Sequence, residues 1–253
     1  MRVAALLLVL ALVASGTWLE QRRAHAWRQT LDIGIFPLAG DDSPVTREYV
    51  ARLTADEFTP IDRFFAQQGQ DFGVKLQQPV RSIVFPAVTT APPEPPRAGG
   101  VFATVWWSLE VRYYAWRFGS VSSQPSSAVR MFVVYHDPAR APRLPHSAGL
   151  QKGLIGVANV FAVVRMRGSN NVVIAHEFLH TLGATDKYDP ATDAPVFPAG
   201  YGDPAQEPRY PQEFAEIMAG RRALSPTSQE MPESLDHCVI GSVTAREIHW
   251  PGG

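Results

Sequence analysis

The segment 170–186 limits the possible folds of this chain more than any other stretch of its sequence. It contains a His-Glu-x-x-His pattern that continues as x-x-Gly-x-x-Asp. Residues at positions i and i+4 lie on one face of an α-helix, so His176 and His180 can present both imidazoles to one metal ion. Glu177 lies beside the first histidine, where its carboxylate can reach a metal-bound water without binding the metal itself. The segment therefore predicts a helix that carries a hydrolytic metal site.

The residues that follow the second histidine supply a third candidate ligand. Gly183 can adopt a positive φ and end the helix, which turns the chain back toward the metal. Asp186 then approaches the same ion with a carboxylate oxygen. The chain has 7 histidines in 253 residues, and a His-Glu-x-x-His pattern then arises by chance with odds of roughly 0.01. A core helix whose histidines only form hydrogen bonds is therefore the weaker interpretation.

The residues around the motif predict a helix that packs against the core. Ser169 or Asn170 is suited to cap its N-terminus through a side-chain oxygen. Apolar residues recur at largely helical spacing, which is typical of a buried active-site helix. These apolar positions are Val172, Val173, Ala175, Phe178, Leu179 and Leu182.

The stretch HEFLHTLGATD, residues 176–186, resembles the extended motif of the metzincin zinc peptidases. The usual third ligand of that clan is a histidine, whereas this chain has Asp186, as in the snapalysin-like and immune-inhibitor-A-like branches. The stretch AEIMAG, residues 215–220, resembles the methionine turn beneath the metal in that clan. Several metzincins place a tyrosine two residues after the methionine, where this chain has Gly220. An assisting phenol then has to come from elsewhere, and the candidates are Tyr188, Tyr201 and Tyr210.

The resemblance implies a zinc-dependent peptidase acting on a peptide or protein substrate. It implies that Zn²⁺ is held by His176, His180 and Asp186, with Glu177 as the general base. It also implies that the strand before the motif helix, within 153–164, forms the edge of the cleft. An extended substrate can then pair with that strand through backbone hydrogen bonds. From the sequence alone, an ordinary interior strand is an equally good interpretation of this segment.

Three alternatives stay open. The third ligand can instead be Asp189, or a downstream glutamate as in gluzincin peptidases, with Glu213 or Glu216 available; the glycine bend favours Asp186. The chain can be a catalytically silent envelope protein that keeps the metal for binding, although the intact Glu177 argues against this. It can also cleave a non-peptide amide, such as a cell-wall cross-link, by the same chemistry.

The charge balance gives no reason to expect a nucleic-acid partner. The formal net charge is -1 and no basic block is present, so the electrostatic signature of a phosphate-binding surface is missing. Cys238 is the only cysteine, which excludes an intrachain disulfide. A chain of this length can bury a sizeable core without such cross-links. We expect Cys238 to be a small buried residue.

The N-terminal residues are expected to direct export. Residues 3–16 form an uncharged and almost wholly apolar run behind a basic start, as in a secretory signal. The run is shorter than the roughly 20 residues of a transmembrane helix. Trp18, followed by Arg22 and Arg23, equally suits a retained membrane anchor over residues 3–19. We therefore expect an extracytoplasmic protein that is secreted, periplasmic or anchored by its N-terminus.

After this signal peptide or anchor at 1–19, we expect a single zincin-like catalytic domain over 20–253. The predicted elements follow the order β-α-β-α-β-β-α, with the motif helix last. This order indicates an α/β (α+β) fold, in which a mixed sheet is backed by helices and followed by a loop-rich C-terminal part. Strands are predicted at 31–37, 80–85, 129–135 and 154–164, and helices at 45–68, interrupted near Pro60, and at 101–118.

The predicted helix at 101–118 has a high density of aromatic residues. Such a density can resemble a ligand-binding site, but core packing is the better interpretation of large aromatic side chains. We therefore expect its large apolar residues to lie in the core. They are Phe102, Val105, Trp106, Leu109, Tyr113 and Trp116.

Overall fold

The computed structural model describes residues 20–96, 100–119, 127–151 and 153–253. The predicted signal or anchor at 1–19 lies outside these residues. Among the helices described, none is both long enough and apolar enough to cross a bilayer. The helices are α1 (20–25), α2 (Pro44–Ala51), α3 (Thr59–Asp71), α4 (Gly100–Phe118), α5 (Arg167–Thr181) and α6 (Ser242–Glu247). The strands are β1 (Leu31–Ala39), β2 (Val80–Val84), β3 (Val129–His136), β4 (Ala148–Leu150), β5 (Ile155–Phe161), β6 (Ala215–Glu216), β7 (Arg222–Ser225), β8 (Ser228–Glu230) and β9 (Cys238–Val239).

The main sheet has five strands in the order β2-β1-β3-β5-β4. Strands β2, β1, β3 and β5 run parallel to one another, and β4 pairs antiparallel with β5 at one edge. Two small sheets pair β6 with β9 and β7 with β8. The mixed sheet and the six helices of the described residues confirm the predicted α/β fold class.

The central strands are buried on both faces, as parallel strands covered by helices are expected to be. In β3 every residue over 131–136 is buried, and successive side chains alternate between two cores. On one face Ile35 and Met131 pack in the core that also contains residues of α3 and α5. On the other face Phe36 and Phe132 pack in the core that α4 covers. The sheet therefore separates the motif helix α5 from α4.

The predicted helix over 45–68 is in fact two helices, α2 and α3, separated by a 3-10 turn at Ala55–Glu57. Pro60 lies in the first turn of α3. There its missing N–H breaks no helical hydrogen bond, and its fixed φ suits the helix. The proline therefore lies at the start of a second helix, whereas the sequence predicted one helix with an interruption near Pro60.

The outer side of α4 contradicts the prediction that its aromatic residues lie in the core. The residues that face the sheet are Trp107, Val111, Tyr114 and Ala115. Those expected in the core are exposed: Phe102, Val105, Trp106, Leu109, Tyr113 and Trp116. A helix that lies on a sheet buries one side, and both sides of α4 are apolar. Periodicity therefore does not show which side meets the sheet.

The strand expected at the edge of the cleft, within 153–164, is an interior strand, so that prediction is wrong. β5 lies between β3 and β4, and its first half, Ile155 to Val157, pairs with strands on both sides. The edge is formed by β4, which has only three residues with a glycine in the middle. A segment this short has no recognisable strand periodicity.

Candidate metal centre

The first turn of the motif helix α5 is fastened to the sheet. The helix begins at Arg167 with Met166 at the N-cap position, so the prediction that Ser169 or Asn170 caps it is wrong. The side chain of Asn170 instead bonds to both backbone groups of Phe161 at the end of β5. Its Oδ1 accepts from the Phe161 N–H at 3.1 Å, and its Nδ2 donates to the Phe161 carbonyl at 2.8 Å. These two bonds fix the helix relative to the strand that precedes it.

The C-terminal end of α5 turns the chain back, as the glycine predicts. Gly183 has a φ of 97°, a conformation that favours glycine. Its N–H donates to the His180 carbonyl at 3.0 Å, and the Ala184 N–H donates to the Leu179 carbonyl at 3.1 Å. This pair of bonds is the Schellman arrangement that ends many helices. It directs the following residues, including Asp186, back along the helix.

Three atoms of the metal-binding type converge after this turn. The Nε2 atoms of His176 and His180 lie 3.0 Å apart. Asp186 Oδ1 lies 3.2 Å from the first and 3.1 Å from the second. Ligand atoms in a tetrahedral zinc site with bonds of about 2.0–2.1 Å are separated by roughly 3.3–3.4 Å. The nearly equilateral triangle therefore fits a zinc ion, and the described part of the chain offers no other group of three such residues.

The other nitrogen of each imidazole is held by a backbone carbonyl. His176 Nδ1 donates to the Ile217 carbonyl at 2.9 Å, and His180 Nδ1 donates to the Ala184 carbonyl at 2.8 Å. A proton held on Nδ1 leaves the lone pair of Nε2 available to a metal. The two backbone contacts thus select the tautomer that a metal site needs.

The electrostatics of the triad favour positive charge at the point where its three atoms meet. Burial lowers the pKa of His176, but the hydrogen bond to Asp186 and the nearby charge of Glu177 outweigh it and raise the pKa to about 9. Burial raises the pKa of Asp186, but hydrogen bonds to both histidines outweigh it and hold the pKa well below its ordinary value. Asp186 is therefore an ionised carboxylate, as a metal ligand has to be.

Glu177 is a buried carboxylate with an unused oxygen. Its side chain is 6% exposed, and within the described residues no group hydrogen-bonds to its Oε2. Burial raises the pKa of Glu177, and the two neighbouring histidines only partly offset that rise. An unpaired buried carboxylate is costly to a folded protein. A group that is kept at such a cost is a candidate for a chemical role.

The predicted methionine turn lies under the site. Ile217–Ala219 form one 3-10 turn, which ends at Gly220 with a φ of 66°. Met218 is fully buried, and its carbonyl accepts a hydrogen bond from the Lys187 N–H at 2.9 Å. The turn therefore holds His176 through the Ile217 carbonyl and Lys187, just after Asp186, through the Met218 carbonyl.

The alternative third ligands are engaged elsewhere. Asp189 Oδ1 accepts hydrogen bonds from two backbone N–H groups of the turn that follows it, and Glu213 is exposed. Glu216 is fully buried, and four donors surround its carboxylate. They are the N–H groups of Met218 at 2.7 Å, Ala219 at 3.1 Å and Gly241 at 3.2 Å, and the Thr244 hydroxyl at 2.6 Å. Glu216 thus holds the methionine turn together and does not join the triad.

Neither a protein-family model nor a curated protein matches this chain. The likeness to metzincins therefore rests on the chain itself. It rests on the motif over 176–186, on the glycine turn that returns Asp186 to the two histidines, and on the turn around Met218.

An ion-pair network clamps the backbone on both sides of Asp186. The buried Lys187 ammonium donates to the Thr185 carbonyl at 2.6 Å, to the Thr185 hydroxyl at 2.8 Å and to Glu247 Oε2 at 2.7 Å. Glu247 in turn accepts from the N–H and the hydroxyl of Thr185 at 3.0 and 2.7 Å. Burial raises the pKa of Glu247, but the bonds to Lys187 and Thr185 outweigh it and lower the pKa. The network positions Asp186 from the last helix, α6.

Replacing Glu247 by alanine is expected to weaken zinc binding about 10- to 100-fold, the usual effect of removing a group that orients a ligand. The free energy of unfolding should fall by about 1–3 kcal/mol, because the buried Lys187 loses its charged partner. Zinc affinity is measured by competition with a chelator and stability by urea unfolding. Glu48→Ala is the matched control, because Glu48 pairs with Arg52 on an exposed helix face and should change neither quantity. Unchanged zinc affinity in Glu247→Ala would show that Asp186 is held by other contacts.

A cleft of about 290 Å³ opens beside the triad. Its lining includes His176, Glu177 and Tyr188, with apolar walls from Val172, Val173 and Met231. Tyr188 is therefore the candidate phenol that lies in the cleft, whereas Tyr201 and Tyr210 hydrogen-bond to each other at 2.8 Å. Burial raises the pKa of Tyr188, and the charges of Asp186 and Glu177 raise it further. The phenol consequently keeps its proton at neutral pH and can donate a hydrogen bond.

The edge strand β4 lies directly against the motif helix. A Cβ atom at Gly149 would collide with the Cβ atom of His180 and crowd the carbonyl of Glu177. Only glycine therefore allows this strand to pass so close to the two residues. The residues before β4 also bring His146 into the lining of the cleft. His146 could not be predicted there from the sequence, because it lies outside any ligand spacing.

Proposed function

We propose that this chain is a zinc-dependent peptidase that hydrolyses peptide bonds in an extracytoplasmic compartment. The observation that carries the proposal is the convergence of His176 Nε2, His180 Nε2 and Asp186 Oδ1, 3.0 to 3.2 Å apart, beside the unpaired carboxylate oxygen of Glu177. A metal site with a purely structural role has no need of a base at that position. A hydrolytic site does need one, and it has to open onto a cleft as this one does.

In this proposal His176, His180 and Asp186 hold the zinc ion, because three protein ligands are the usual number in a catalytic site. The ion, when bound, would polarise the scissile carbonyl and acidify a water molecule. The remaining chemistry belongs to side chains of the cleft. Glu177 takes a proton from the water and returns it to the leaving amine, a role suited to a carboxyl group whose pKa is raised by burial. Tyr188 donates a hydrogen bond to the carbonyl oxygen as negative charge develops on it.

The structure also supports a place for the substrate backbone. The outer edge of β4 pairs with no other strand of the described chain, and Gly149 on that strand contacts the motif helix. An extended peptide that pairs with β4 would therefore pass over the triad and add one strand to the sheet. This position replaces the one expected for 153–164, because β4 covers the first half of β5.

Removing the metal is the direct test of this function. We expect a chelator to reduce hydrolysis of casein or of a peptide library to background, and one equivalent of zinc to restore it. Magnesium should not restore activity, because it prefers an all-oxygen octahedral site. Zinc at 100 times its dissociation constant should also stabilise the fold by about 2.7 kcal/mol, which thermal unfolding can measure.

Two results would contradict the proposal. Activity that survives complete removal of metal would exclude a zinc-dependent reaction. A protein that binds one zinc ion but cleaves no peptide would favour a metal-binding role. If such a protein instead cleaves cell-wall cross-links, the site is a hydrolase of another substrate class.

A further inference from the structure

Most of the exposed large apolar side chains that the structure describes lie on the outer side of α4. Phe102 is 91% exposed, Trp116 70% and Trp106 65%. The exposed apolar residues of α4 recur every three or four positions, so they form one stripe along the helix. We call this group the outer face of α4, and its residues are Val101, Phe102, Val105, Trp106, Leu109, Tyr113 and Trp116.

The outer face of α4 takes no part in the hydrophobic core. α4 already packs Trp107, Val111 and Tyr114 against the sheet. Two of these residues also hold the proline-rich loop before the helix, because Trp107 donates to the Pro93 carbonyl at 2.9 Å and Tyr114 to the Thr90 carbonyl. Exposed apolar patches of this kind are uncommon on soluble monomers and mark sites of contact with a protein or a membrane.

The side chains of the outer face are the types that favour the boundary of a lipid bilayer. Tryptophan and tyrosine combine a large apolar ring with one polar group, and they concentrate where lipid headgroups meet the acyl chains. The polar group of Trp106 is already satisfied, because its Nε1 donates to Glu110 Oε1 at 2.8 Å. The face is also a row of protruding side chains on a helix, which a lipid surface can accommodate without a complementary groove.

The charges on α4 suit an anionic lipid surface. Arg117 is exposed beside the outer face, and Glu110, the single acidic residue of the helix, accepts a hydrogen bond from Trp106. The guanidinium of Arg117 lies over the ring of Phe118, 5.2 Å from its centroid. Arginines beside an apolar helix face can lay their stems along it and extend their charged ends to lipid phosphates.

The sequence predicts a further membrane attachment ahead of α1. Gln21, in α1, donates to the carbonyl of Gln151 just after β4 at 3.1 Å. The preceding residue, Leu150, packs against the core that α4 covers. Residues 3–16, for which the sequence predicts a signal or membrane anchor, precede α1 in the chain. Stable membrane binding commonly requires two such attachments.

We propose that the outer face of α4 binds the surface of a lipid bilayer that contains anionic headgroups, with Phe102, Trp106 and Trp116 at the boundary between headgroups and acyl chains. The inference does not depend on the peptidase function. The motif helix α5 packs on the opposite face of the sheet from α4. Binding through α4 therefore leaves the metal centre accessible to substrates in solution.

Quenching by brominated lipids tests the proposal at the residues themselves. The full chain carrying Trp18→Phe is mixed with phosphatidylcholine–phosphatidylserine vesicles, with and without bromine on the acyl chains. We expect brominated lipid to quench the tryptophan emission, and the quenched part to disappear in a protein that also carries Trp106→Ser and Trp116→Ser. The same pair of substitutions should weaken vesicle binding about 100-fold, since each buried ring contributes about tenfold.

The matched control is Val45→Ser with Val164→Ser, which removes two other exposed apolar side chains, 50% and 65% exposed, and should leave quenching and binding unchanged. Equal emission from brominated and ordinary vesicles would overturn the proposal. So would a wild-type dimer that the tryptophan substitutions dissociate without altering vesicle binding, because a second copy would then cover the face. Circular dichroism establishes that the variants fold, and the quenching of the Trp18→Phe protein decides the question even if they do not.

Discussion

Glu177→Gln is expected to reduce kcat for peptide hydrolysis by about 10²- to 10⁴-fold, the usual contribution of a general base. The amide has nearly the same shape as the carboxylate, so the neighbouring histidines should keep their positions and zinc should stay bound. Glu177 is the residue whose loss should separate metal binding from catalysis, because its Oε2 has no partner within the described residues. The measurement is kcat on a fluorogenic peptide, together with the zinc content of the same preparation.

Glu213→Gln is the matched control for that experiment. Glu213 is an exposed glutamate of the segment that a gluzincin-type site would use for its third ligand, and its loss should change neither kcat nor zinc content. A Glu177→Gln protein with wild-type kcat would remove the base from the proposed mechanism. A protein that loses its zinc would instead make Glu177 part of the metal site.

Asp186→Ala is expected to weaken zinc binding by more than about 100-fold, which exceeds the upper range for loss of a residue that only orients a ligand. Asp186 Oδ1 lies within hydrogen-bonding distance of both histidine nitrogens. Its removal therefore leaves two neutral ligands and no negatively charged one. Activity at limiting zinc should fall in parallel. Chelator competition gives the affinity, and titration of activity with zinc gives an independent value.

Asp189→Ala distinguishes this assignment from its nearest rival in the sequence. The carboxylate of Asp189 holds a turn through the N–H groups of Ala191 and Thr192, so its removal should leave zinc affinity within a few-fold of the wild type. If Asp186→Ala binds zinc normally and Asp189→Ala does not, the third ligand is misassigned. If neither substitution matters, Glu216 becomes the residue to replace next.

The half of the site that lies on one helix could be predicted from the sequence because its geometry is local. The spacing of His176 and His180 places both on one helix face, and Gly183 adopts the positive φ that returns the chain to them. That turn is the local signal that made Asp186 predictable, although its neighbours are also held from α6. The site residues therefore come together where the motif predicts, whereas the identity of the bound ion stays a prediction.

The groups that orient these residues could not be predicted, because they come from distant segments or from the backbone. The bond between Lys187 and Glu247 joins positions 60 residues apart, and nothing in either segment indicates the other. His176 is oriented by the carbonyl of Ile217, and a backbone carbonyl has no sequence signature. Long-range support of this kind depends on the complete fold.

The same distinction explains which elements of the fold were predicted. β3 and β5 are apolar runs bounded by polar residues, and both appear close to their predicted limits. β4 is too short to have a pattern, and its absence from the prediction led to the wrong edge for the cleft. For α4 the helix itself was predicted correctly. The orientation of α4 could not be predicted, because Trp106 and Trp107 are neighbours of the same residue type. Trp106 is exposed, whereas Trp107 is buried.

The clamp between Glu247 and the residues on both sides of Asp186 makes the candidate metal centre depend on the docking of α6. α6 lies far along the chain from both histidines, so a chain whose α6 is undocked has no fixed place for the aspartate. Until that helix docks, we expect the pair of imidazoles to hold zinc only weakly. A metal centre of this design is therefore completed only by the folded chain, and loosening α6 is expected to release the ion.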